Sequence, residues 1–214
     1  MTGILSRALP NAPAKRRVFF SFHYQNDIWR VNQVRNSWRF QYEATREAEG
    51  FFDASLWESS QRRNPDSLKE LIRTGMENTS VTAVLVGSNT FERRWVRYEI
   101  ARSIVKGNGL VGIQIHLLRD RFSNTSGQGP SPFDCMSLYR AADGRVLLAE
   151  LAGQKWVAYA DYTLALTLPS TWSAPRDNNV VRLSEYAATF CYVRNSGQAS
   201  FSSWIANAAA AVGR

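Results

Sequence analysis

The residue that most suggests chemistry in this chain is Glu99, a carboxylate on a predicted helix. An apolar face recurs at helical spacing through Phe91, Trp95, Ile100 and Ile104, and Glu99 lies at its border, one turn after Trp95. A strand is predicted just before this helix, so Glu99 is expected near the carboxyl ends of a parallel sheet, where α/β folds bind ligands. A carboxylate held there against an aromatic ring can serve as an active-site acid.

The alternative is that Glu99 is an ordinary solvated residue. Arg102 follows it at i+3, a spacing at which a helical ion pair adds about 0.2–0.5 kcal/mol. Spacing alone favours this alternative, because most glutamates on helices are exposed.

Other polar and aromatic side chains follow the predicted strands. They are Ser21, Phe22, His23 and Tyr24 after the first strand, Asp53, Ser55 and Trp57 after the second, and Ser88 and Asn89 after the third. Because the carboxyl ends of parallel strands meet at one edge of a sheet, we expect these side chains and Trp95 to bind a ligand beside Glu99. Aromatic rings next to hydroxyl and carboxylate groups suit flat heterocycles joined by sugars and phosphates. Each residue has a structural alternative, since the aromatic rings can be core and His23 and Asp53 can cap turns.

The elements that would position these residues alternate between strands and helices. Apolar runs predict strands at residues 18–22, 50–53, 81–86 and 110–117. Helices are predicted at residues 28–40, from Asn64-Pro65-Asp66 onward, and from Asn89, which has capping-box spacing to Glu92. Four strands and three helices in alternation predict a flavodoxin-like α/β fold, with a central parallel sheet between two helical layers.

Residues 107–112 match the Gly-x-Gly-x-x-Gly fingerprint of dinucleotide-binding folds. That fingerprint works between a strand and a following helix, whose amino terminus meets the pyrophosphate. Here the predicted order is helix then strand, so we interpret Gly107 and Gly109 as a helix stop and a turn.

The pattern changes after residue 118. Glycine and proline predict a long loop at 119–134, Asp143-Gly144 predicts a hairpin, Gly153-Gln154 another turn, and residues 169–182 look irregular. A terminal helix is predicted at 200–212, with Phe201, Trp204, Ile205 and Ala208 as its packing face. We therefore predict one domain at 16–214, with its core at 16–135, an antiparallel and helical elaboration at 136–214, and a flexible tail at 1–15.

Composition sets the broad class. The 214 residues, 44% of them hydrophobic, can bury one sizeable core. Nothing approaches the eighteen or so apolar residues of a transmembrane helix, and the start lacks a signal-peptide pattern, so a cytoplasmic protein is expected. The two cysteines make no disulfide framework, and His23 and His116 have no metal-ligand partner at recognisable spacing, so we expect neither a metal nor a cofactor.

The formal net charge of +8 requires a partner hypothesis. Basic residues cluster at 15–17, at 62–63, and at Arg93, Arg94 and Arg97. No nucleic-acid reader motif accompanies them, whereas a dinucleotide carries a pyrophosphate that arginines bind equally well. The alternative for each residue singly is ordinary solvated surface.

Several segments together carry a resemblance to a known family. They are Arg17–Tyr24, Arg30–Asn32, Val34–Asn36, Phe52–Glu58, Asn78–Thr82 and Arg94–Ile100. The Trp-Val-x-x-Glu-Ile run resembles the segment of TIR domains that carries the catalytic glutamate of NAD-consuming enzymes. The whole set, spread over about residues 16–135, resembles the TIR-like ThsB proteins of the bacterial Thoeris anti-phage system.

This resemblance implies a TIR-like fold and an activity. Glu99 would be the catalytic residue for cleavage of NAD at the nicotinamide–ribose bond. The ADP-ribose would then close into a cyclic isomer that signals to a separate effector, ThsA. In TIR domains the loop corresponding to residues 56–64 mediates assembly, so self-association of the active form is expected, without a membrane or nucleic-acid partner.

Two other functions stay open on the sequence. A non-catalytic TIR-like adaptor would use Glu99 as an ordinary helix residue and recruit a partner through its surface. A flavodoxin-like N-glycoside transferase acting on nucleosides would also use a carboxylate.

Overall fold

The computed structural model describes residues 16–40, 65–177 and 179–214. In chain order the strands are β1 (Val18–Phe22), β2 (Val81–Val86), β3 (Gly109–Gln114), β4 (Met136–Arg140), β5 (Val146–Ala152), β6 (Lys155–Ala158), β7 (Val180–Arg182) and β8 (Thr189–Cys191). The α-helices are α1 (Tyr24–Phe40), α2 (Pro65–Gly75), α3 (Arg94–Lys106) and α4 (Gly197–Ala210). The predicted tail at 1–15 and the predicted strand at 50–53 lie outside the described residues.

Four strands form a parallel sheet in the order β1-β2-β3-β8. Every residue of β2 is buried, because helices cover both faces of the sheet. Phe20 packs in one core cluster with Val31 of α1 and Phe201 of α4. Its neighbour Phe19 points to the other face and packs with Ile72 of α2. This layering confirms the predicted α/β fold with a central parallel sheet.

Helix α3, which carries Glu99, lies between the parallel sheet and the C-terminal part of the chain. Val96 and Ile100 pack in one cluster with Val84 of β2 and Leu148 of β5. The helix that bears the candidate acid is therefore held by apolar contacts on two sides.

The start of α3 differs from the prediction. The helix begins only after a 3-10 turn at Thr90–Glu92, and Asn89 makes no side-chain cap bond. Instead, the Asn89 amide donates to the Glu92 carboxylate at 3.3 Å. The predicted capping box does not form because Thr90 shapes this turn, its hydroxyl accepting a hydrogen bond from the Gly87 N–H at 2.9 Å.

Of the two glycines between α3 and β3, Gly107 acts as the predicted helix stop, whereas Gly109 belongs to the strand rather than to a turn. Gly107 has a left-handed φ of 72° and ends α3. Strand β3 begins at Gly109, where an added Cβ would lie 2.0 Å from the carbonyl oxygen of Ala208 in α4. The fingerprint spacing therefore serves a helix stop and a close helix–strand contact.

The other four strands form an antiparallel sheet in the order β6-β5-β4-β7. The predicted hairpin at Asp143-Gly144 joins β4 to β5, and the predicted turn at Gly153-Gln154 joins β5 to β6. The prediction of irregular structure at 169–182 was wrong at its end, because β7 pairs with β4. Strand β7 has only three residues, too few for an alternation pattern to reveal it.

The end of the chain returns to the parallel sheet. Strand β8 pairs with β3, and α4 packs Phe201, Trp204, Ile205 and Ala208 into the core, the face predicted for it. The predicted boundary at residue 135 therefore does not follow the division between the two sheets. Among the residues that the structure describes, no helix is both long and apolar enough to cross a membrane.

We expect Gly109→Ala to destabilise the protein by about 1–3 kcal/mol. The added methyl group would overlap the Ala208 carbonyl, which is backbone and cannot rotate away. Gly127→Ala is the matched control, because nothing lies within 4 Å of its added Cβ. Urea denaturation followed by circular dichroism measures both variants, and equal midpoints would contradict the close contact between α4 and β3.

Candidate active site

The candidate acid Glu99 is buried rather than solvated. Its side chain is only 5% exposed, in the middle of α3. The hydroxyl of Ser21, near the end of β1, donates a hydrogen bond to the Glu99 carboxyl group at 2.5 Å. No ion pair to Arg102 forms among the described residues, so the surface-glutamate alternative is wrong. A helix residue and a strand residue predicted from separate motifs thus meet directly.

Burial changes the acidity of Glu99. Removal from water raises its pKa from 4.5 to about 8, and the hydrogen bond from Ser21 acts in the opposite direction. The carboxyl group is therefore mostly protonated at pH 7. A small change in its surroundings, such as an approaching positive charge, can ionise it.

A pocket of about 320 Å³ opens beside this carboxyl group. Its lining consists of Phe22, His23, Tyr24, Gln25, Glu92, Arg93, Arg94, Trp95, Val96 and Glu99. The rings of Phe22 and Tyr24 are tilted at a centroid distance of 6.3 Å, and Trp95 packs edge-on against Tyr98 at 5.8 Å. The structure thus brings together five of the predicted site residues, with Ser21 joined to them through Glu99.

Other predicted site residues do not line this pocket. The Ser88 hydroxyl donates to the side-chain oxygen of Asn89 at 2.9 Å, so Ser88 serves the turn before α3. Asp53, Ser55 and Trp57 lie outside the described residues, and their predicted roles stay predictions.

His23 is buried in the pocket wall and is held neutral. Burial is the main cause that lowers its pKa to about 4, and the nearby Arg93 adds to the effect. Its Nδ1 atom has no hydrogen-bond partner among the described residues. The side chain of His23 therefore offers an unused polar atom next to the pocket.

The sequence analysis missed one buried carboxylate, Asp27. It lies in the first turn of α1 against the backbone of Gly87, where an added Cβ would approach its Oδ2 to 2.1 Å. Burial raises the Asp27 pKa to about 6, although Arg30, 3.6 Å away, favours the charged form. The sequence does show that Asp27 and Arg30 have the i, i+3 spacing of a helical ion pair. That spacing does not distinguish a buried pair from an exposed one.

Arg30 connects α1 to the loop that follows β3. Its guanidinium donates to the carbonyl oxygens of Leu118 at 2.9 Å and Asn124 at 3.0 Å. Asp120 lies 3.6 Å from the same group. Arg30 therefore holds this loop against α1.

Two of the three arginines suggested for a pyrophosphate are bound elsewhere. Arg94 makes two hydrogen bonds to Asp161, at 2.8 and 2.6 Å, and Arg97 bonds Glu150 at 2.6 Å. Both carboxylates belong to the C-terminal part of the chain. These arginines tie α3 to the elaboration, a use that local sequence patterns cannot reveal because the partners are distant in the chain.

Known proteins show similarity to this chain over the residues that form the pocket. A family model described as "Thoeris protein ThsB, TIR-like domain" matches residues 19–120, which include the whole pocket lining. A Bacillus cereus (strain MSX-D12) protein named "Putative cyclic ADP-D-ribose synthase ThsB1" is 44% identical over 195 residues. That alignment covers 89% of this chain and 98% of the relative.

We expect Glu99→Gln to stabilise the folded protein at pH 8 and to change little at pH 4.5. Between its unfolded pKa of 4.5 and its folded pKa of about 8, Glu99 binds more protons in the folded state. The stability of the wild type therefore falls as the pH rises through this window, and glutamine avoids the loss. The gain at pH 8 should be on the order of a few kcal/mol, measured by urea denaturation at both pH values.

The control for this experiment is Glu70→Gln on α2. The Glu70 side chain is 63% exposed, so the substitution should give no pH-dependent difference from the wild type. A stability difference for Glu99→Gln that does not vary with pH would contradict the burial of an ionisable group at this position.

We expect Arg97 and Glu150 to stabilise the protein as a coupled pair. Replacing each by glutamine, singly and together, should give a coupling free energy of about 0.5–1.5 kcal/mol, because both groups are about three-quarters buried. The exposed pair Arg73–Glu70 is the control and should give less. Equal coupling in the two cycles, measured by urea denaturation, would argue that α3 does not depend on its tie to the elaboration.

Proposed function

The chain belongs to the TIR-like ThsB proteins of the Thoeris system, as the resemblance predicted, and from that premise we propose that it converts NAD into a cyclic ADP-ribose isomer. One observation carries the proposal: a buried carboxyl group, Glu99, is bonded by Ser21 at the wall of a pocket lined by aromatic rings. The name of the Bacillus cereus relative supports the same product.

The first step is cleavage of the nicotinamide–ribose bond. The electron pair of the C1′–N bond leaves with nicotinamide, which departs as a neutral molecule, and positive charge develops on the ribose ring. An ionised Glu99 stabilises this charge and accepts hydrogen bonds from ribose hydroxyls, by the logic that glycosidases apply with their carboxylates.

Glu99 must ionise to act in this way, and its pKa of about 8 opposes ionisation in the free enzyme at pH 7. NAD supplies the missing charge, because its nicotinamide ring is a cation. An opposite charge a few ångströms away lowers the pKa of a carboxyl group, and the Ser21 hydroxyl favours the ionised form as well. Substrate binding itself thereby generates the catalytic carboxylate, and the carboxyl proton is released to solvent.

The second step closes the ring. A nucleophilic atom of the ADP-ribose bonds to C1′, and the group to which this atom belongs gives up one proton, which the Glu99 carboxylate takes up. The product is the cyclic isomer rather than free ADP-ribose. Water must be excluded for this outcome. Self-association completes the enclosure in this proposal, with residues 56–64, outside the described residues, at the contact. NAD is the substrate, no cofactor is required, and the product signals to the effector ThsA in the cytoplasm.

We expect concentrated protein, incubated with NAD and a lysate of phage-infected cells, to release nicotinamide and form a product with the mass of cyclic ADP-ribose. Glu99→Gln should lower this rate by about 10²–10³-fold, because an amide cannot supply the negative charge. Mass spectrometry with chromatography measures both products.

Glu70→Gln, far from the pocket on the surface of α2, is the control and should retain full activity. Absence of nicotinamide release from the wild type, with and without the lysate, would favour a non-catalytic adaptor. Cleavage that survives in Glu99→Gln would assign the chemistry to another group.

A further inference from the structure

Arg93 differs from the neighbouring Arg94 and Arg97 in having no carboxylate partner in the part of the chain that the structure describes. It lines the pocket together with Glu99, and its side chain is exposed. Arg94 and Arg97 are held by Asp161 and Glu150, whereas Arg93 forms no ion pair within the described ranges. Its guanidinium is therefore free to meet a ligand in the pocket.

The charge of Arg93 acts on the interior of the site. It lowers the pKa of His23 in the pocket wall and the pKa of Asp27 near the end of β2. The positive charge of Arg93 is therefore felt at both places. Glu92, the other nearby charge acting on His23, has the opposite effect. A ligand with negative charge at this end of the pocket would be attracted by Arg93.

The backbone beside Arg93 is also suited to an anion. The first helical hydrogen bond of α3 runs from the Arg97 N–H to the Arg93 carbonyl oxygen. The N–H groups of Arg94, Trp95 and Val96 therefore have no acceptor within the helix, and they carry the positive end of the helix dipole. Helix amino termini of this kind are common phosphate sites.

A second, independent observation points to a polar ligand here. His23 is 5% exposed, lines the same pocket, and leaves its Nδ1 atom without a partner among the described residues. Buried polar atoms in proteins are nearly always bonded. A bound molecule that reaches this atom would satisfy it.

We propose that Arg93 binds the pyrophosphate of NAD and makes the site specific for a dinucleotide over a nucleoside. The inference rests on the proposed function, since it takes NAD as the substrate. Arg93, the residue before α3, and Glu99 are six residues apart, which corresponds to a rise of roughly 9 Å along the helix axis. A long guanidinium side chain at the amino end and a short carboxyl side chain further along can thus address the phosphate and the ribose of one molecule.

The test uses the full chain carrying Glu99→Gln, so that no ligand is consumed. Binding of ADP-ribose and of nicotinamide riboside is measured by titration calorimetry or ligand-observed NMR. Adding Arg93→Gln should weaken ADP-ribose binding roughly tenfold to hundredfold, the value of hydrogen bonds to a charged group. Nicotinamide riboside, which has no phosphate, should bind with unchanged affinity, and Arg93→Lys should be intermediate because it keeps the charge without the planar fork.

Arg145→Gln is the control, because Arg145 is exposed in the β4–β5 hairpin and pairs with Asp143. Unchanged ADP-ribose affinity in Arg93→Gln would overturn the inference while leaving the proposed function in place. Equal loss of both ligands would also overturn it, because Arg93 would then support the pocket rather than bind phosphate. Binding of neither ligand by the parent variant or by the wild-type chain would remove the proposed function and the inference together.

Discussion

The hydrogen bond between Ser21 and Glu99 constrains the geometry of the whole site. It joins the end of β1 to the middle of α3, at 2.5 Å, across 78 residues of sequence. Helix α3 can reach Ser21 only by lying across the sheet, where β1 pairs in parallel with β2 and Ser21 is opposite Val84. The apolar contact of Val84 with Ile100 holds the helix there. Core packing on both sides of Glu99 therefore decides where its carboxyl group lies.

Three ionisable groups are buried around this bond. The protein is less stable with them than it would be with apolar side chains of the same volume. The pKa of Glu99 lies near 8, that of Asp27 near 6 and that of His23 near 4, each displaced mainly by burial. All three favour their neutral forms at the expense of the charged ones. Such displaced acidities concentrate at functional sites, where proteins retain groups that a stability optimum would replace. The apolar layers on either side of the sheet offset this cost.

Local patterns in the sequence are sufficient to predict much of this arrangement. The apolar runs of β1 and β2 require burial on both faces. At Gly107 the backbone has a left-handed φ of 72°, a conformation that glycine adopts without strain. Because β1 and β2 are parallel neighbours, Ser21 and the turn that leads into α3 lie towards the same edge of the sheet. Contacts distant in sequence are different, because nothing near Arg94 or Arg97 indicates Asp161 or Glu150 as partners. The burial of Asp27 was missed for the same reason, since Gly87 covers it from another element.

The C-terminal part of the chain, which includes the antiparallel sheet, helps to position the start of α3 through contacts that are distant in sequence. Glu150 of β5 and Asp161, which follows β6, bind the arginines on the first turn of α3. The orientation of that turn therefore depends on the C-terminal part of the chain as well as on the parallel sheet. Arg93, which directly precedes these arginines, lines the pocket beside Arg94. The elaboration at 136–214 thus has a physical role. It binds the side chains of Arg94 and Arg97, whereas Arg93 forms no ion pair among the described residues.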